Sequence, residues 1–307
     1  MEKKKFLFVS LAGLVGDIAW QVKKEGHDVR YFIGTASEKD IAETADRLMA
    51  AYDAATTLPP ISAGDPGFDV AAGYAVLREI EARRTSSGWR PVGRKIGFTN
   101  RTIWPRYGVY LPMWAHVWAT TAHRTSTNRA KLSLARFVQP RIEPEVVFGL
   151  KASIPTEGDA HAALACVDWI APGFEIVQSH FPDWKFTAAD CTAAFGLHGA
   201  LVIGAPVPVT ERSRASLADA LPSFVLTLRR GGEVVDTGAG SNVLDSPALA
   251  LVHLARVLAG QPQFPPLAPG EIVTTGTITD AWPVKKGQTW TSDYGTLGLP
   301  GMTLTFA

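Results

Sequence analysis

The stretch QPRIEPEVVFGL, Gln139 to Leu150, decides how the rest of the chain is read. Ile142, Val146, Val147 and Phe148 give it the character of a buried strand, yet Glu143 and Glu145 sit inside it. Residues two apart on a strand share a face. Two carboxylates on one apolar-flanked face repel each other and lose hydration, so a compensating charge is required. Taken alone, such a pair is more often solvent-facing at the end of an edge strand. Glu175, a third carboxylate in an apolar run with Phe174, Ile176 and Val177, weighs against that. Three carboxylates in strand interiors suit one hard divalent cation, Mg²⁺ or Mn²⁺. Such an ion takes oxygen ligands and keeps positions open for water or substrate.

Lysines offer the complementary charge. Lys95 lies in VGRKIGFT, between glycines that let backbone come close, and Lys185 follows Asp183-Trp184. A lysine is ordinarily a solvated surface residue. Near a metal it transfers protons or holds a substrate carboxylate. Thr274-Thr275-Gly276-Thr277 is a hydroxyl-rich strand end suited to donating hydrogen bonds to a carboxylate, or else an ordinary turn. His198 divides evenly between a satisfied core histidine and a site residue. His116 and His123 fall in a segment that could form a lid, and His180 follows the Glu175 strand.

Composition bounds the answer from outside. The chain has 307 residues, 46% of them hydrophobic, enough for a large core. Its net charge of +1 gives no reason to expect nucleic acid or an anionic membrane as partner. Cys166 and Cys191 form no paired motif, which disfavours a disulfide scaffold or cysteine zinc site and fits a reducing cytoplasm. No apolar run reaches membrane-span length. Phe6–Gly16 after a charged start imitates a signal peptide, but no small-residue cleavage site follows it.

Along the chain, residues 1–35 read as strand, helix and strand, a short βαβ-like extension or appended segment without a G-x-G-x-x-G motif. Residues 36–92 form a helical region. Ser37 or Thr35 caps one helix, with Ile41, Ala45, Leu48, Met49 and Tyr52 at helical spacing; Val70–Arg84 forms another. Residues 93–307 are rich in short strands, with a hairpin turn at Arg230-Gly231-Gly232-Glu233 and one late helix. That helix has Ser246 as N-cap, Pro247 at its first position and Gly260 after its end. The fold class is α+β with a large β portion.

The motifs GRKIGFT, QPRIEPEVVF, PGFEIVQSHFPDWKFTAAD, GLHGALVIG, VLDSPALALVHLARVL, LAPGEIVTTGTIT and PVKKGQTWTSDYGTLG then stand in the order and spacing of a known family. Over residues 36–307 the chain resembles the fumarylacetoacetate hydrolase superfamily, and within it the 2-keto-4-pentenoate hydratase and 4-oxalocrotonate decarboxylase branch. The resemblance implies a mixed β-barrel-like core with Mg²⁺ or Mn²⁺ on Glu143, Glu145 and Glu175. It implies a small 2-oxo acid substrate, a metal-stabilised enolate and a homo-oligomer. The activity implied is a hydratase or decarboxylase of aromatic catabolism, a cytoplasmic lyase. An acylpyruvate-type C–C hydrolase and a non-catalytic diverged member are the alternatives.

The resemblance puts the active-site lysine at Lys95, with Arg141 before the metal pair and Thr277 in the segment that contacts the substrate carboxylate. His180 and Lys185 are further catalytic candidates, and Thr99, Gly276 and Met113 further substrate contacts. Departures from the family pattern concentrate on the substrate side. Met113 stands where hydratases carry an acidic residue, and His180 where many members carry arginine. Asp245-Ser246-Pro247 stands where Gly-His-Pro is frequent, and Thr192-Ala193-Ala194-Phe195 where Ala-Asp-Asn is usual. Trp104, Tyr107, Tyr110, Met113 and Trp114 lie close in sequence, so the expected substrate is larger or aromatic-bearing.

Overall fold

The computed structural model describes residues 3–10, 16–33, 37–101, 104–107 and 109–307. The first elements are β1 (Lys5–Ser10), α1 (Gly16–Lys24) and β2 (Asp28–Ile33), followed by helices α2 (Glu38–Ala54), α3 (Ile61–Gly64) and α4 (Val70–Ser86). Next come β3 (Pro91–Gly97), α5 (Trp104–Tyr107), β4 (Met113–Trp118), β5 (Ala122–Arg124), β6 (Arg129–Leu132) and β7 (Arg141–Leu150). Then follow α6 (Ala160–Ala165), β8 (Val167–Val177), α7 (Ala188–Ala193), β9 (His198–Ile203), β10 (Val207–Pro208) and α8 (Glu211–Ser223). The chain closes with β11 (Val225–Arg230), β12 (Glu233–Ala239), α9 (Pro247–Ala259), β13 (Ile272–Thr274), β14 (Trp282–Pro283), β15 (Thr289–Asp293) and β16 (Met302–Phe306).

Two sheets carry the body. The larger runs β4-β3-β13-β7-β8-β9-β5, with β10 on β8 and β14 on β7. It is mixed, since β13 pairs parallel with β3 and antiparallel with β7, and it curls into a half-barrel. The smaller runs β12-β11-β15-β16-β6. Gly231 and Gly232 make the expected β11–β12 turn, both with positive φ, as a two-residue hairpin turn of the primed type requires.

β7 explains why the strand reads as apolar despite its glutamates. Ile142, Val146 and Phe148 pack on one face into the main core, together with Ile170, Phe174 and Ile176 of β8, Leu226 and Leu228 of β11, and Leu304 of β16. Glu143, Glu145 and Val147 take the other face. β7 is a central strand, so Glu145 is buried and the edge-strand reading does not hold.

The N-terminal helices build a second core. Ala45 and Leu48 of α2, Val76 and Ile80 of α4, and Ala189 and Ala193 of α7 pack together. α4 also sends Tyr74 and Leu77 into the main core. It is buried on two sides and not along the single stripe that its spacing suggested; Ala71 is exposed while Ala72 and Gly73 are buried. Ser37 caps α2 as expected, accepting from the Asp40 amide at 3.2 Å, and Ser246 caps α9. Thr35 lies outside the described residues.

β1 and β2 pair in parallel as a separate two-stranded sheet. Leu7, Ile18 and Trp20 are exposed there, as expected of a unit too small to bury its own apolar face. One stretch, Gly240–Ala259, is long and apolar enough to pass as a membrane span, with mean hydropathy 1.2, contrary to the reading from sequence. It is a short 3₁₀ turn followed by α9, whose Leu251, Val252, Leu254 and Leu258 are buried in the main core.

Candidate metal centre and catalytic cavity

The antiparallel pairing of β7 with β8 sets Glu143 directly opposite Glu175, and Glu145 opposite Gly173. All three carboxylates therefore converge, with one oxygen from each within 4.8 Å of the others. Tyr294 pins the two backbones at this point. Its hydroxyl donates to the Glu145 carbonyl at 2.7 Å and accepts from the Gly173 amide at 3.1 Å.

The surrounding groups hold some carboxylate oxygens and leave others bare. Thr274 Oγ1 and the Gly276 amide (2.8 Å) both donate to Glu145 Oε2. The hydroxyl-rich Thr274–Thr277 stretch thus serves the protein's own carboxylate first. Gly276 is required here: its φ is +98°, and a Cβ would lie 2.1 Å from Thr99 Oγ1. His198 Nδ1 lies 2.7 Å from Glu175 Oε1, and its Nε2 lies 2.8 Å from Thr121 Oγ1. Among the described residues, Glu145 Oε1 is buried with no hydrogen-bond partner, and Glu175 Oε2 has only the Lys95 ammonium, at 3.4 Å. Buried carboxylate oxygens without partners are costly, and an oxygen-only donor set is what Mg²⁺ or Mn²⁺ takes. Three carboxylates with oxygens within 4.8 Å of one another are near enough to share one such ion.

Lys95 stands beside the cluster, hydrogen-bonded to the Gly196 carbonyl at 3.0 Å and 3.4 Å from Glu175 Oε2. Burial works against its charge. Glu175, then Glu143 and Glu145, outweigh burial and hold the ammonium protonated beyond the ordinary lysine range. For Glu145, burial and then the charges of Glu175 and Glu143 push the carboxyl well up. Burial, reinforced by Glu175 against the pull of Lys95, takes Glu143 up to about 7. Burial likewise opposes the Glu175 charge, but Lys95 and His198 prevail and hold it below its ordinary range.

The cluster opens into a cavity of about 180 Å³. Lys95, Arg141, Glu143, Thr99, Gly276 and Thr277 form its polar side. Met113, Val177, Trp184, Phe186, Cys191 and Leu197 form its apolar wall. The Arg141 guanidinium stacks on the Trp184 ring at 4.1 Å. Cys191 is buried among these groups, and burial pushes its thiol up to about 12, so it is a neutral wall residue.

Residues 111–300 match the fumarylacetoacetate (FAA) hydrolase C-terminal family. The chain belongs to that family. A 2-hydroxyhexa-2,4-dienoate hydratase of Comamonas testosteroni is 30% identical over 253 residues, 82% of this chain and 92% of that one. A 2-keto-4-pentenoate hydratase of Paraburkholderia xenovorans is 31% identical over 246 residues, 80% of this chain and 87% of that one. In fold the chain is similar to the 4-oxalocrotonate decarboxylase from Pseudomonas putida G7 complexed with magnesium and adipate. The TM-score is 0.80 at 23% identity, covering 89% of this chain and 99% of the other.

Two candidates lie elsewhere in this family member. His180 packs between Tyr52 and Phe195, with Nδ1 2.9 Å from the Thr56 carbonyl, and belongs to the helical core, not to the cavity lining. The chain turns away after Val177, the last residue of β8, and takes His180 with it. Lys185 is 82% exposed, 3.9 Å from Asp183, because it follows a solvent-facing 3₁₀ turn.

His116 and His123 are strand residues, not a lid. His116 is buried beside Glu81 at 3.1 Å, and His123 pairs with Val202. Trp114 is core, with its indole donating to Gln261 at 2.7 Å, and Trp104 donates to the Phe98 carbonyl at 2.8 Å. Tyr110 is exposed, and the Tyr107 side chain lies outside the described residues. Tyr294, Thr121 and the Gly196 carbonyl were not legible in the sequence. Tyr294 lay in a quoted motif, but nothing in one sequence ties its hydroxyl to β7.

Proposed function

We propose that this chain is a divalent-metal-dependent lyase, a hydratase or decarboxylase of a small 2-oxo acid in aromatic-compound degradation. The observation that carries the reading is the convergence of Glu143, Glu145 and Glu175 beside Lys95 at one cavity, with the buried Glu145 Oε1 left without a hydrogen bond among the described residues. These three glutamates would hold Mg²⁺ or Mn²⁺. Bound there, the ion would supply Lewis acidity toward the 2-oxo acid and offset the negative charge of the glutamates beside Lys95.

The protein's own groups do the rest. Arg141, held over the Trp184 ring, draws the substrate carboxylate into the cavity. Thr99 and Thr277 line the same side; Thr99 offers its hydroxyl to it, while Thr277 Oγ1 donates to the Thr279 carbonyl at 2.9 Å and would have to turn to reach it. Lys95 moves a proton to or from the carbon chain beside the 2-oxo group, oriented by the Gly196 carbonyl. The apolar wall of Val177, Leu197 and Phe186 limits water, which strengthens each charge interaction inside. C–C hydrolysis is disfavoured, because hydrolases of the superfamily activate water with a His–Glu pair and no histidine lines the cavity among the described residues. A cytoplasmic homo-oligomer, with neither nucleic acid nor membrane as partner, completes the reading.

Product analysis tests it. Chelator-stripped protein receives Mg²⁺ or Mn²⁺ and a 2-oxo-4-enoate, 4-oxalocrotonate, oxaloacetate or an acylpyruvate, with mass spectrometry as the readout. Metal-dependent gain of water or loss of CO₂ is expected. Cleavage of the acylpyruvate into two fragments would replace this reading with hydrolysis, and binding of metal without any product would make the chain a non-catalytic member.

A further inference from the structure

Beside the catalytic cavity lies an apolar groove of about 510 Å³. The two share Phe98 and Met113, so these side chains form the partition between them. On its cavity side Met113 touches Cys191, sulfur to sulfur at 3.4 Å. Beyond the partition, Ala71, Tyr74, Leu111, Pro112 and Val257 line the groove, which reaches solvent past Leu111, 67% exposed. An unbranched thioether adapts its shape and carries no charge, so it suits an apolar neighbour and gives nothing to a second carboxylate. The space around it is kept by glycines: a Cβ on Gly97 would lie 3.1 Å from Met113 Cγ, and one on Gly196 would lie 3.3 Å from Met113 Cε.

We propose that the groove receives the apolar tail of the substrate. The substrate is then a 2-oxo acid bearing an alkyl or aryl group on the side of its reacting carbons away from the carboxylate, and Met113 and Phe98 determine specificity. This rests on the assignment of the 2-oxo acid head to the Lys95–Arg141 cavity. Adjacency argues for this occupant: a tail leaving the head at Lys95 meets Met113, the unbranched side chain that has to swing aside for the tail to enter the groove.

The test uses the Mg²⁺-loaded full chain and 2-oxo-4-enoates whose terminal substituent is hydrogen, methyl, propyl or phenyl. kcat/KM is measured for each, together with the affinity for the saturated 2-oxo acids carrying the same tails. Both are expected to rise by about fourfold per buried methylene. Ala71→Trp, at an exposed helical position, should erase the rise for the propyl and phenyl compounds; Ala50→Ser, at an exposed position of α2 outside the groove lining, should change no compound. Values that stay flat or fall as the tail grows overturn the groove, as does an Ala71→Trp loss equal for all compounds. Turnover of short compounds only would overturn the groove and keep the lyase reading. Tail-dependent affinity with no turnover would keep the groove and end the lyase reading.

Discussion

Glu143 of β7 faces Glu175 of β8 directly across an antiparallel ladder, and Lys95 is the ammonium placed against the pair, 3.4 Å from Glu175. This cross-strand pairing of like charges, which destabilises a sheet on its own, organises the expectations that follow.

Replacing Glu175 or Glu143 by alanine should abolish metal-dependent turnover and high-affinity Mn²⁺ binding, measured by calorimetry. Glu145→Gln separates binding from folding. It keeps an acceptor for Thr274 and Gly276 but removes a repelled charge. The metal-free variant should therefore melt about 1–2 °C higher at neutral pH, roughly the effect of 1 kcal/mol in a chain of this length, while losing the metal. An unchanged or lower melting temperature would mean that the repulsion is already relieved.

Lys95→Met should retain metal binding and lower kcat by about 10²–10⁴-fold, the range of a general acid–base group. Full activity in that variant would remove Lys95 from proton transfer.

His198 orients Glu175 from behind, at 2.7 Å. Loss of such an outer hydrogen bond typically costs 10–100-fold in metal affinity. His198→Ala should show a loss of about that size, and His198→Asn should recover part of it. An unchanged Mn²⁺ titration in both would assign His198 to the core alone.

The pH dependence follows from Glu143, which burial beside Glu175 takes from an ordinary 4.5 up to about 7. In the metal-free protein this group binds a proton in the folded state that the unfolded chain has lost. Its contribution to stability is complete below the unfolded value and disappears as pH rises through about 7. Metal requires the deprotonated carboxylate. The rise in melting temperature on adding Mg²⁺ should thus be small at about pH 5.5 and larger at about pH 8. A rise of equal size at both would contradict the protonated state assigned to Glu143.

Much was determined by the sequence alone. Alternation along β7 put Glu143 and Glu145 on one face, because the period of a strand is two whatever surrounds it. Glu175 and Lys95 were legible as charges inside apolar or glycine-flanked runs, and caps at Ser37 and Ser246 follow from local hydrogen bonding. The tertiary structure decided what local rules cannot. Strict alternation from Ala200 and Val202, both in the main core, would send His198 there too. A register shift opposite Ile176 and Val177 leaves Gly199 over and brings His198 onto Glu175 instead. Thr274 reaches Glu145 only because β13 lies beside β7, 129 residues away in the chain. His180 and Lys185 followed motifs that pointed to the site, but where the chain turns after β8 is set by packing against Tyr52 and Phe195, which no single stretch of sequence records.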